Sequence, residues 1–166
     1  MHQTPSAEPI AGEHWKQTTR RGNAFFGNEA FELALQCYEQ ARDIVLLHFD
    51  DWPQADDAVA ALVVSYLNLA DTHACLGRPQ VAATTLCAIH NSLAEAATDA
   101  DLPSPLRSAA GRHLRETWTA LVQFRQQHGE QAERIDATLA RRARAPDTVL
   151  LPPGPHAALP GVSTLH

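Results

Sequence analysis

Apolar residues recur every three or four positions through most of the chain. Phe31, Leu35, Tyr38, Ala41, Val45 and Phe49 form one such stripe, and Leu62, Tyr66, Leu69, His73 and Leu76 a second. Ala82, Leu86, Ile89 and Leu93 follow, then Leu114, Trp118, Leu121 and Phe124. This is the period of a helix with one buried face, and no run of alternating β-branched residues competes with it. Five breaks divide the pattern. Gly27-Asn28 offers a stop and then an N-cap side chain, and Asp50-Asp51-Trp52-Pro53 holds a residue kept from helix by the following proline. Gly77-Arg78-Pro79 joins a stop to a first-turn proline, Ser104-Pro105 reads as an N-cap with its proline, and His128-Gly129 is the last break. The segments 13–26, 29–49, 54–76, 79–98, 105–128 and 130–144 are the helices expected, an all-α arrangement of about six antiparallel helices in pairs. Residues 1–12, broken by Pro5 and Pro9, are expected to be a flexible N-terminus, residues 13–144 the helical domain, and residues 145–166 an extended proline-rich tail.

Composition narrows the function classes. The chain has 166 residues, 45% of them hydrophobic, so it supports one domain with a sizeable core. A formal net charge of −6 gives no electrostatic reason to seek nucleic acid or an acidic membrane surface. No eighteen consecutive residues are apolar, and no basic region followed by an apolar run marks a signal peptide. Cys37, Cys75 and Cys87 are odd in number and lack a disulfide-framework spacing. Reduced thiols in a cytoplasmic protein are the expectation.

A repeat runs beneath the stripes. Gly22, Phe25, Ala34, Tyr38 and Ala41 are echoed by Ala70, His73, Ala82, Leu86 and Ile89, with a small residue and a later alanine twelve positions apart in both copies. Small residues at Gly22 and Ala34, or at Ala70 and Ala82, let two antiparallel helices approach closely, while Phe25, Tyr38 and Leu86 fill the space beside them. The pattern resembles the tetratricopeptide repeat. That family's unit is about 34 residues. Gly22 and Ala70 lie 48 apart, and the surplus amounts to about four helical turns, which longer helices absorb in phase. Thr18 stands where the family has its tryptophan, and His73 where it has an aromatic residue. A third copy over residues 105–144 keeps Trp118, Leu121, Val122 and Gly129 but has Arg134 at the packing alanine.

The resemblance implies a short α-solenoid whose first helices line a groove for a peptide or partner helix. Asn23, Phe26, Asn68 and Asp71 are the groove residues expected, with Lys16, Thr19, Val64 and Cys75 on the same helices and Arg112, Arg115 and Gln123 on the fifth. Asn23 and Asn68 also match the two asparagines of the carboxylate-clamp subclass. Thr19 replaces its first lysine, however, and the basic pair of a third repeat is missing; otherwise the asparagines brace backbone or neighbouring helices.

Other chemistry is thinly supported. His73 and Cys75 diverge by about 200° on a helix and cannot face one ion, and Cys87 with His90 gives only two ligands. Asp56 and Asp57 suit a helix N-terminus, and the arginines at 134, 141, 142 and 144 suit a helix end. No nucleophile elbow or phosphate loop is present. The expectation is a non-enzymatic adaptor without cofactor or metal, taking a protein or peptide partner, with a homodimer left open. Two competitors stand beside it: a secretion-type chaperone of the same superfamily, and an enzymatic or metal-binding bundle.

Overall fold

The structure, a computed structural model described here for residues 10–140, contains six α-helices and no strand among those residues. They are α1 (Ile10–Gly27), α2 (Phe31–Leu47), α3 (Ala55–Cys75), α4 (Pro79–Thr98), α5 (Ser104–Gln127) and α6 (Ala132–Ala140). Short 3₁₀ turns at Phe49–Asp51 and Gly129–Gln131 fill two of the expected breaks. The helix starts at Ile10, so the last three residues of the expected flexible N-terminus belong to its first turn. The proline-rich tail, residues 145–166, lies outside the described residues, as do residues 1–9 and the arginines at 141, 142 and 144.

The turns within the first two helix pairs share one geometry. At the end of α3, Gly77 takes φ +71°, and the amides of Gly77 and Arg78 bond back to the carbonyls of Ala74 (3.0 Å) and His73 (2.9 Å). At the end of α1, Glu29 takes φ +59°, and the amides of Glu29 and Ala30 bond back to Phe26 (3.0 Å) and Phe25 (2.9 Å). Both are Schellman stops, with the left-handed residue 48 positions apart in the sequence, the same offset as Gly22 to Ala70. Two expectations change here. The left-handed residue of the first turn is Glu29 rather than Gly27, and the residue before α2 is Ala30, so Asn28 is not an N-cap. Ser104 likewise lies inside α5, which Pro103 precedes; with Pro105 in the first turn, backbone pre-organisation takes the place of a side-chain cap.

Helix α3 is central, packing on α2, α4 and α5. Its Val59, Leu62, Val63 and Tyr66 meet Val45 and Phe49, Ile89 and Leu93, and Leu106 and Ala110 in the largest core cluster. A second cluster gathers Ala70, Ala82, Ala83, Leu86 and Cys87 with Leu121, Phe124 and Ile135, which seats α6. By length and composition α3 is apolar enough to cross a membrane, and 56% of that window is buried inside the protein. Trp118 departs from the expected stripe of α5: it is 48% exposed, beside the His90 ring, while Thr117 turns inward and its hydroxyl meets His90 Nδ1 at 2.8 Å. Leu106, Ala109, Ala110, Leu121 and Phe124 bury that helix instead.

Helix α1 attaches differently. Its buried residues are Gly12, Thr18, Thr19 and Gly22, all small, so close approach replaces large apolar knobs. A Cβ at Gly22 would stand 2.7 Å from Tyr38 Cε1 and 3.2 Å from Cys37 Cβ. Ala34, Ala70 and Ala82 have no exposed surface, and Phe25 packs on the cluster of Ala34, Leu35, Tyr38 and Leu69. The residues expected to set the repeat packing therefore all sit at helix contacts. Gly22→Ala should lower stability by about 1–3 kcal/mol through overpacking against Tyr38, and Ala34→Leu and Ala82→Leu should cost a similar amount. Urea unfolding of the three variants checks this; curves that overlay the parent's would contradict the packing described.

Candidate functional site

One turn of α1 and one of α3 come together beside Tyr38. Asn23, Phe26 and Gly27 are spaced i, i+3, i+4, and Asn68 and Asp71 i, i+3, so each set shares one helix face. With Tyr38 they line a cavity of about 240 Å³. All four residues expected in the groove are brought together here.

Each has a distinct setting. The Tyr38 hydroxyl donates to Asn23 Oδ1 at 2.7 Å, which ties α2 to α1 and occupies one acceptor lone pair. Asn23 thus braces a neighbouring helix as well as lining the cavity. Phe26 is half-buried, its ring edge-on to Phe31 with centroids 5.2 Å apart, so it is both a wall of the cavity and part of the turn's packing. Asn68 is half-buried, and its carbonyl accepts the Thr72 hydroxyl at 2.7 Å. Asp71 is exposed and lies at the edge of the cavity. Among the described residues, its carboxylate has no hydrogen bond or ion pair.

Burial pushes the Asp71 carboxyl above the usual 3.8. Tyr38 is raised first by its own burial and then by the negative charge of Asp71. Cys75, one turn on, is raised by the same two causes in the same order.

The other expected positions divide. Thr19 is buried with an unpartnered hydroxyl and faces the helix contact. Lys16, Val64 and Cys75 do not line the cavity. Arg112, Arg115 and Gln123 line a second depression of about 480 Å³ with Leu67 of α3 and with Glu116, Thr119 and Ala120 of α5. Leu67 and Asn68 are adjacent, so the two hollows flank one open stripe of α3. Arg112 is not free there, since it holds Asp56 at 2.7 Å. The sequence reading missed Gly27 and gave Tyr38 a packing role alone. The signal was available, because Gly27 follows Asn23 by four positions on the same face.

The arrangement defines an all-α protein with a small cavity of mixed polar and apolar lining between its helices. Residues 13–150 match the family described as "Protein of unknown function (DUF2753)", and the chain belongs to that family. No curated protein and no solved structure matches it.

An ionised carboxylate that is partly desolvated and unpaired costs stability. Because the folded carboxyl titrates above its unfolded value, its stabilising contribution is full below about pH 4 and is lost as pH rises through the folded pKa. Asp71→Asn should therefore raise the melting temperature at pH 7 only slightly, because water screens an exposed carboxylate, and the difference should vanish below about pH 4. Thermal melts of the two proteins across that range give the test. A variant less stable at pH 7 would mean that Asp71 has a structural partner.

Proposed function

We propose that this protein is a non-enzymatic interaction scaffold of tetratricopeptide-like helix pairs, which takes a peptide or partner helix along the open stripe of α3. The convergence of Asn23, Phe26, Asn68 and Asp71 on one cavity carries this reading. They come from helices that are not neighbours in sequence, and they combine an aromatic face with polar groups left available for a ligand. The equal offset of the two Schellman turns and the repeat positions supports a repeated helix pair. The second hollow, between α3 and α5, supports a binding surface longer than one side chain. Asn23 and Asn68 here serve as backbone-orienting amides around the Phe26 ring.

A pull-down from the native host, with the captured chain identified and then titrated directly, tests the proposal. The double variant Phe26→Ala, Asn68→Ala should weaken that titration by about tenfold or more while the fold persists, because truncating a central aromatic anchor costs upwards of about 1 kcal/mol. Undiminished binding by the folded double variant would move the interface elsewhere on the molecule.

A further inference from the structure

The chemistry of the cavity is not that of a carboxylate clamp. Two asparagine amides alone would suit a peptide's C-terminal carboxylate, but Asp71 places a like charge among them, and no basic side chain stands among the described lining residues. Elsewhere on the structure, carboxylates that tie one element to another meet an arginine: Glu32 of α2 with Arg78 ahead of α4, Asp56 with Arg112 and Asp136 with Arg125. Asp71 sits in the concavity between α1 and α3 without such a partner among the described residues.

We propose that this cavity receives the cationic side chain of a lysine or arginine from a partner peptide, with Asp71 as its counter-ion. The proposal rests on the groove reading above and gives it a ligand chemistry. Asp71 supplies charge-assisted acceptance, and the second lone pair of Asn23 Oδ1 and the side-chain amide oxygen of Asn68 supply neutral acceptors beside it. Phe26 offers an apolar wall to the methylene stem and a ring face to the charge. A volume of about 240 Å³ is below that of ordinary small-molecule sites and fits one side chain. The flanking residues of the peptide would run across Leu67 toward the second hollow. The net charge of −6 favours approach of a basic segment. One carboxylate is too few for a divalent metal, and no group of three His, Cys, Asp or Glu among the described residues is placed to hold one.

The test uses the full chain, labelled with ¹⁵N, and blocked pentapeptides with a central lysine, norleucine or glutamate between glycines, with butylammonium as a fourth probe. The lysine peptide should shift the amides around Asn23, Asn68 and Asp71 and bind about tenfold tighter than the norleucine peptide. Asp71→Asn should remove most of that difference while leaving the spectrum otherwise folded. Equal binding of the norleucine or glutamate peptide overturns the cation site and leaves the groove reading standing. Butylammonium binding as tightly as the lysine peptide overturns the peptide as its source. If no probe shifts those amides, the cation site is overturned, and the partner titration with Phe26→Ala, Asn68→Ala decides the groove reading separately.

Discussion

The missing side chain at Gly22 is the constraint on which the first half of the molecule depends. Helix α1 is polar around most of its circumference and brings few large residues to its interface, so it cannot be held by a broad apolar stripe. It is held instead because Gly22 lets the backbone settle onto the Tyr38 ring, where dispersion contacts accumulate at close range. That approach brings Asn23 within reach of the Tyr38 hydroxyl, and the resulting hydrogen bond fixes the rotation of α1 about its axis. Farther along, the Trp15 indole N–H donates to Ser65 Oγ at 3.0 Å and ties the same helix to α3. Phe26, one turn past Asn23 on the same helix face, lines the cavity together with Asn68 and Asp71.

Much of the architecture was legible because local rules and the core agree. Segment 79–98 matches α4 at both ends, since Pro79 favours the first helical turn and Asp99, Asp101 and Pro103 disfavour helix beyond Thr98. The breaks that were placed correctly but explained incorrectly share a cause. Asn28 and Ser104 have the right chemistry for N-caps, yet at Glu29 a backbone-satisfied stop spends the residues that a side-chain cap would need, and at Pro103 a proline pair sets the path. Trp118 was misplaced for a different reason. The interior beside α4 is already filled by Ile89, His90 and Leu93, and the small Thr117 both fits there and satisfies the imidazole. Period alone does not tell which of two adjacent positions the neighbour has room for.

The cavity was legible to the extent that it is made by helix phase. Asn23 with Phe26, and Asn68 with Asp71, are same-face pairs in any helix, and the repeat offset of 48 sets Asn23 and Asp71 at equivalent places in successive pairs. What periodicity does not contain is pairing. That Asp71 lacks a partner among the described residues, that Asn23 is engaged by Tyr38, and that Arg112 is spent on Asp56 are all facts of tertiary distance.

The way α1 is attached couples local opening to occupancy. The cavity has no existence apart from the docked helix, because half of its lining belongs to α1 and the rest lies on α2 and α3. A helix secured by small residues and a few side-chain hydrogen bonds is where amide exchange is expected to begin, at a free energy below that of global unfolding. A ligand bridging α1 and α3 must then draw its affinity partly from closing that helix, and its binding slows the helix's release by mass action. Recognition and the protection of α1 from exchange are thus one equilibrium observed from two sides.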